Sequence, residues 1–274
     1  MRATHLLPVL AFIAQIPPSN TPNDFVEICA GDARVSCALR QSGFSGKEYD
    51  VMYSRNHDLL RTVGFLTMLM AVRNLRPGGL VLVGPPCASW IFLSRSQTGR
   101  SWSNPDGNGC RAVELANIFI RRLLYILYFA HKRGCKFLIE QPVSSVLWYF
   151  RPMRQFLQFT GARRVAFPMG SYGSPSIKMT VTQKGTPLVK KTISKSGKQQ
   201  VTGIRGALRE SASYPPGFGF ALAGFIQPKG SPAQSLDLDI GEADPDEDDD
   251  QSIDDLIRVG GRRNATWRKL LMAE

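Results

Sequence analysis

The chain has 274 residues, 43% of them hydrophobic, which is enough for one large α/β domain and argues against a second full domain. Its formal net charge of +12 is uneven: residues 237–274 hold 12 of the 22 acids and 5 of the 34 bases, giving −7, so residues 1–236 carry +19. Such an excess favours a nucleic-acid partner, because each phosphate neutralised by Lys or Arg releases counterions. A basic surface that serves only solubility is the alternative.

Cysteine usage and the N-terminus bear on the cellular setting. The five cysteines are an odd number and lack the CxxC spacing, which argues against a disulfide framework and a zinc site and favours a reduced, nuclear or otherwise intracellular environment. The apolar run from Leu6 to Ile16 is too short to span a bilayer. We interpret it as an N-terminal helix stopped by Pro17-Pro18, with a targeting segment as the open alternative.

The first predicted elements form a strand, turn and helix unit. Phe25 to Ala30 predicts a buried strand that runs into a turn at Gly31-Asp32. The apolar spacing from Ala33 to Gln41 predicts a helix, with Gly43 as its cap. A second strand is predicted from Tyr49 to Tyr53.

Two further alternations of helix and strand follow. Gly64 to Leu75 predicts a helix that Pro77-Gly78-Gly79 stops before the strand Leu80 to Val83. Ala112 to Arg133 predicts a long helix before the strand Lys136 to Ile139. Repeated β-α alternation indicates an α/β fold with a doubly wound, mostly parallel sheet.

The predicted organisation has four parts. Residues 1–22 are an N-terminal extension and residues 23–228 the folded domain. Residues 229–255 hold the acidic run and are predicted to be a disordered linker. Residues 256–274 are predicted to form a basic amphipathic tail, whose partner is either the acidic run itself or an external ligand.

Glycine, proline, cysteine and acidic residues follow the carboxyl ends of three predicted strands. In doubly wound sheets, ligands bind at these ends. Gly31 follows the first strand, Gly84-Pro85-Pro86-Cys87 the strand ending at Val83, and Glu140-Gln141-Pro142 the strand ending at Ile139. Two prolines before Cys87 would hold its sulfur rigidly, and arginines in the following loop, Arg95 and Arg100, would lower the thiol pKa. This favours a nucleophile over a buried structural cysteine.

The order of these motifs, Gly-Pro-Pro-Cys and then Glu-x-Pro-Val, resembles the cytosine-5 methyltransferase family over roughly residues 24–225. The resemblance implies a Rossmann-like methyltransferase fold and methyl transfer from S-adenosyl-L-methionine to cytosine C5 in DNA, with RNA as a close variant. It implies a catalytic set of Cys87, Pro86 and Glu140. Cys87 would add to C6 of a flipped-out cytosine, and Glu140 would bind the base near N3.

The segment Glu27 to Ala33 resembles the family's glycine loop for the cofactor, with Cys29 in place of an aromatic residue and Ala33 in place of the second glycine. The resemblance implies cofactor contacts that also involve Pro85. The cofactor set is Glu27, Ala30, Gly31, Asp32 and Pro85. The acidic residue that binds the ribose hydroxyls is not obvious, and Asp50, Asp58 and Asn56 are the candidates.

The nucleic-acid contacts are expected from basic side chains: Arg95, Arg100, Arg163, Arg164 and Lys178. Lys178 belongs to Tyr172-Gly173-Ser174-Pro175-Ser176-Ile177-Lys178, which resembles a family motif that has glutamine where Ser176 stands and arginine where Lys178 stands. A lysine offers a point charge in place of the bidentate fork. The alternative hypothesis is therefore a catalytically degraded nucleic-acid-binding protein of mobile-element origin.

Overall fold

The structure is a computed structural model that describes residues 20–165, 169–172, 189–193, 199–203 and 214–226, and in addition Ile13, Gln15 and Pro17. For 189–193 and 199–203 only the backbone is described. The predicted linker, the predicted C-terminal tail and most of the predicted N-terminal extension lie outside these residues. All elements named below belong to residues 18–237, one of two units into which the chain divides.

Four strands form one parallel sheet in the order β2-β1-β3-β4. They are β1 (Asn23–Ile28), β2 (Gly46–Tyr49), β3 (Leu75–Val83) and β4 (Lys136–Ile139). The last residues of the four strands lie side by side, since Ile28 pairs with Tyr49 and Val83, and Val83 pairs with Ile139. The predicted α/β fold with a parallel sheet is confirmed, and the carboxyl ends of all four strands meet at one edge.

Six α-helices are described: α1 (Arg34–Gln41), α2 (Thr62–Arg73), α3 (Arg95–Thr98), α4 (Arg111–Lys132), α5 (Arg151–Thr160) and α6 (Pro216–Ala223). A separate antiparallel pair consists of β5 (Val189–Ile193) and β6 (Gln199–Gly203). Within the described ranges, no helix has the length and apolar character needed to cross a membrane.

Helices cover both faces of the parallel sheet. On one face, α1 and α6 pack over β1 and β3, in a core cluster that is almost fully buried. This cluster includes Phe25, Val35, Leu39, Leu80, Leu82, Phe218 and Leu222. On the other face, the Phe137 ring of β4 lies 5.1 Å from the Phe156 ring of α5, measured between centroids. Alternate side chains of each strand therefore point into two apolar layers, as a doubly wound sheet requires.

Two predicted strands differ most from the structure. The second strand is Gly46–Tyr49 and not Tyr49 to Tyr53, because the chain turns at Asp50, whose Oδ1 accepts from the Met52 amide at 2.9 Å and whose carbonyl accepts from the Tyr53 amide at 3.0 Å. The stop predicted at Pro77-Gly78-Gly79 lies inside β3, which begins at Leu75. The pairing of β1 and β3 shifts register there, so the extra residues form a bulge within the strand.

Candidate active site

The turn after β1 has an unusual backbone. Cys29, Gly31 and Ala33 have φ angles of 61°, 53° and 53°. Of the residues that the structure describes, Cys29 and Ala33 are the only ones other than glycine with positive φ. A side chain in this left-handed region costs roughly 1–2 kcal/mol, and such strain concentrates at ligand-binding turns. The surrounding structure therefore holds this turn in a backbone conformation that is locally unfavourable.

Asp50 joins the end of β2 to this turn. Its Oδ2 accepts from the Gly31 amide at 3.0 Å. Asp58, by contrast, accepts from the Leu60 amide at 2.9 Å just before α2, and Asn56 is exposed in a 3-10 turn. Of the three ribose candidates, Asp50 is the one that contacts the Gly31 turn.

Glu27 is buried in β1, with 1% of its surface exposed. Its Oε2 accepts from the Ser36 amide at 2.9 Å and from the Ser36 hydroxyl at 2.5 Å, whereas Oε1 is buried without a hydrogen-bond partner. Burial raises the pKa of Glu27 to about 7, although the Ser36 hydrogen bonds act in the opposite direction. This predicted cofactor residue thus ties β1 to the first turn of α1. Ala30 is also buried, and Asp32 is exposed.

The Gly-Pro-Pro-Cys segment continues directly from β3. The Gly84 amide donates to the Ile28 carbonyl at 3.2 Å, so the segment starts beside the end of β1. Pro85 is buried, Pro86 is exposed and Cys87 is partly buried. The Cys87 carbonyl accepts from the Trp90 amide at 2.8 Å, which closes a tight turn after the cysteine.

Arg100 lies inside the loop that follows, with 2% of its surface exposed. Its guanidinium carbon is 3.5 Å from the centroid of the Trp90 ring. It donates to Ser89 Oγ at 3.1 Å and to Asn117 Oδ1 at 2.9 Å. Burial lowers the pKa of Arg100 to about 10, which still leaves it charged at neutral pH. Arg100 was predicted to contact nucleic acid, but the structure uses it to hold the loop together.

Glu140 and Tyr214 meet beside the Gly-Pro-Pro-Cys segment. The Tyr214 hydroxyl donates to Glu140 Oε2 at 3.0 Å. Burial and the Glu140 carboxylate raise the pKa of Tyr214 well above its usual value, so the phenol stays protonated. A Cβ atom at Gly84 would clash with the Tyr214 hydroxyl, so only glycine leaves room for this contact. Glu140, Gly84 and Tyr214 thus form one cluster.

A second contact links the Glu140 segment to the loop. Gln141 is buried, and its Nε2 donates to the Pro85 carbonyl at 2.5 Å. The Gln141 side-chain oxygen accepts from the Ser145 hydroxyl at 3.1 Å. The structure therefore brings the segment carrying Glu140 and the segment carrying Cys87 together at the ends of neighbouring strands. We call the ends of β1 to β4, with Tyr214, the strand-end cluster.

Sequence reasoning missed the role of Tyr214 and Gln141. Tyr214 precedes two prolines and the apolar segment that begins at Gly217, and a tyrosine that packs with such a segment needs a buried partner for its hydroxyl. Gln141 adjoins Glu140 in the predicted motif, but nothing in the pattern distinguishes a side chain that supports the loop from one that faces a ligand.

The remaining predicted residues lie on the surface or outside the described part. Arg95 is partly exposed, and Arg163 and Arg164 are exposed. Lys178 lies outside the described residues. A cavity of about 390 Å³ lies between α2 and β2 and is lined by none of the predicted site residues. Among the described residues, no group of three or more His, Cys, Asp or Glu could hold a metal ion.

Comparison of the chain with protein-family models, with curated proteins and with solved structures finds no match. The strand-end geometry and the motifs are therefore the basis for assigning a function.

Proposed function

We propose that this protein has a Rossmann-like methyltransferase fold and transfers a methyl group from S-adenosyl-L-methionine to C5 of cytosine in DNA, through a covalent adduct with Cys87. The observation that carries the proposal is the strand-end cluster. A strained turn at Gly31, a rigid loop with Cys87 and a carboxyl at Glu140 follow three neighbouring parallel strands. Ligands of open α/β sheets bind at this edge.

The residues of the first two strand ends fit an adenosylmethionine cofactor. The Asp50 carboxylate, which accepts from the Gly31 amide, suits the ribose hydroxyls, because a carboxylate accepts hydrogen bonds from both. The Gly31 turn leaves open space where a side chain would stand, so a ligand can approach the backbone. The cofactor supplies an electrophilic methyl group on a sulfonium centre.

Cys87 supplies the nucleophile. Cytosine C5 reacts poorly with an electrophile until a thiolate adds at C6. Addition forms the bond from Sγ to C6 and moves the electron pair of the C5–C6 double bond towards C5. C5 would then take the methyl group, and the electron pair of the broken sulfur–methyl bond would stay with the thioether that leaves. Transfer of the C5 proton to water and departure of the Cys87 thiolate restore the double bond. Pro85 and Pro86 favour this chemistry because they limit the positions that the sulfur can reach.

Glu140 is the group that we assign to the base. A carboxyl group near N3 offsets the charge that develops on the ring as the thiolate adds. Tyr214 holds one carboxyl oxygen of Glu140 at a fixed place, which favours a single orientation towards the base. The net charge of +19 for residues 1–236 supports a nucleic-acid substrate.

Labelled adenosylmethionine tests the proposal with duplex DNA, single-stranded DNA and RNA as substrates. We expect cytosine labelling by the wild type and by Cys37→Ser, a matched control at an exposed cysteine of α1, and background labelling by Cys87→Ser. An oligonucleotide with 5-fluorocytosine should form a covalent adduct with the wild type and with Cys37→Ser but not with Cys87→Ser, because fluorine blocks loss of the C5 substituent. Labelling that is independent of Cys87 contradicts the proposal.

Titration calorimetry separates an active enzyme from the alternative of a degraded nucleic-acid-binding protein. An enzyme should bind adenosylmethionine, and Asp50→Ala should weaken that binding by about tenfold or more, since one hydrogen-bonded charged group contributes roughly 1.5–3 kcal/mol. Salt-sensitive DNA binding without measurable adenosylmethionine binding would support the degraded protein.

A further inference from the structure

Two aromatic side chains between β3 and α4 are exposed. Phe92 and Trp102, both in the loop after β3, have 60% and 63% of their surfaces exposed. The Trp102 ring lies 6.1 Å from the Tyr149 ring between centroids, at an angle of 33°. An exposed tryptophan ring that lies beside a second aromatic ring is suited to a ligand with a flat apolar face.

Two arginines each lie close to an aromatic ring, one in this loop and one in the segment around Tyr149. The Arg95 guanidinium lies 5.4 Å from the Phe92 ring, and the Arg164 guanidinium lies 5.3 Å from the Trp148 ring. Arg95 also donates to the Arg100 carbonyl at 3.2 Å, close in the chain to Trp102. We call Phe92, Arg95, Trp102, Trp148, Tyr149 and Arg164 the aromatic-arginine strip.

The strip is anchored to the two segments that carry Cys87 and Glu140. Arg164 donates to the Val143 carbonyl at 3.0 Å, and the Trp148 indole donates to the Pro142 carbonyl at 3.1 Å. The Val146 amide donates to the Trp90 carbonyl at 2.8 Å, which joins the chain before Tyr149 to the loop that follows Cys87. A nucleic-acid chain bound along the strip would thus lie next to the ends of β3 and β4.

The charge of the strip favours a polyanion. The segment 141–165, which contributes three members of the strip, has four arginines and no acidic residue. Arginine beside open aromatic rings is the combination that binds single-stranded nucleic acid, because the cations bind phosphates while unpaired bases stack on the rings. In a duplex the base faces are covered by their neighbours, so an open ring gains little.

We infer that the aromatic-arginine strip binds unpaired bases of single-stranded DNA next to the target cytosine, with Trp102 as the principal stacking residue. The inference rests on the proposed function for the identity of the target base. It extends that function by assigning the substrate form: a cytosine in a single-stranded or locally opened segment.

Fluorescence anisotropy with a labelled twelve-nucleotide single-stranded DNA of mixed sequence tests the inference on the full chain. We expect Trp102→Ala to weaken binding about 5- to 150-fold, since stacking on one aromatic ring contributes roughly 1–3 kcal/mol per base. Trp102→Phe should recover part of the affinity because it keeps a ring. Phe220→Ala is the matched control, since Phe220 is an exposed aromatic residue of α6 outside the strip.

The duplex of the same sequence and the matching RNA serve as competitors. Weaker competition by the duplex, and loss of this preference in Trp102→Ala, support the inference; stronger competition by the RNA assigns the strip to RNA and overturns it. Equal affinity of Trp102→Ala and Phe220→Ala, with both folded by circular dichroism, also overturns it. Binding needs no turnover, so binding without methylation would contradict only the proposed function, and methylation that is unaffected by Trp102→Ala would contradict only this inference.

Discussion

An alanine at position 84 should break the contact between Tyr214 and Glu140. The added Cβ would lie well inside van der Waals distance of the Tyr214 hydroxyl, and the next nearest atom, Tyr214 Cζ, would be 3.4 Å away, which is ordinary contact. The clash therefore involves one atom, the hydroxyl oxygen. To relieve it, the phenol must leave its position and give up its hydrogen bond to Glu140.

The loss of unfolding free energy in Gly84→Ala follows from the clash and from the lost hydrogen bond. A hydrogen bond to a charged group contributes roughly 1.5–3 kcal/mol, and overpacking of a core costs roughly 1–3 kcal/mol. Because the ring can relieve the clash only by losing the bond, we expect Gly84→Ala to cost about 2–4 kcal/mol in the wild-type background. In a Tyr214→Phe background the hydroxyl is absent, and the same substitution should cost less than about 1 kcal/mol.

Urea unfolding of the wild type, both single variants and the double variant measures this coupling. We expect an interaction free energy of about 2 kcal/mol, with the double variant close in stability to Tyr214→Phe alone. Equal costs of Gly84→Ala in the two backgrounds would refute the claim that the Tyr214 hydroxyl occupies the space in front of Gly84. In the methylation assay, Tyr214→Phe should lower kcat more than it raises KM, because the role that we propose for its partner Glu140 lies in the chemical step.

Three further predictions concern stability. Burial raises the pKa of Glu27 to about 7 from an ordinary value of 4.5, so the stability that its protonated carboxyl contributes is fully present below pH 4.5 and is lost as pH rises through 7. The unfolding free energy of Glu27→Gln, relative to that of the wild type, should therefore increase by about 3 kcal/mol between pH 4.5 and 8. A difference between the two proteins that does not change with pH would contradict this. Ala33→Gly should raise the unfolding free energy by about 0.5–1 kcal/mol, because glycine tolerates the left-handed backbone, whereas Ala33→Val should lower the melting temperature. Arg100→Lys should destabilise by about 3 kcal/mol in urea unfolding, since lysine cannot reproduce the planar fork; Arg95→Lys is the control and should stay within about 1 kcal/mol of wild type.

Much of the sheet could be predicted from the sequence. The strand Lys136–Ile139 was predicted with the bounds that the structure shows, because an apolar run there follows a helix that ends before Gly134. The neighbouring positions of Gly84 and Glu140 followed from parallel strands, whose carboxyl ends share an edge. Periodicity did not place the second strand, since Asp50 bends the chain through side-chain hydrogen bonds that no apolar pattern records.

The parts of the site that the sequence did not reveal depend on contacts between distant residues. Tyr214 meets Glu140 across 74 positions, so no local spacing connects them. The burial of Arg100 runs against its chemical type, because an arginine in a polar loop is normally exposed. Its partners Trp90 and Asn117 lie on either side of it in the chain, and only the folded loop brings them together.

The packing of α6 over α1 has a consequence for how the protein folds. The apolar residues of α1, Val35 and Leu39, leave the ribosome well before Phe218 and Leu222, which cover them. Contacts between residues so far apart in sequence slow folding, and the uncovered surface favours association in the meantime. We therefore expect a nascent chain that ends before Pro216 to expose this layer, bind a hydrophobic dye and depend on chaperones until α6 has been synthesised.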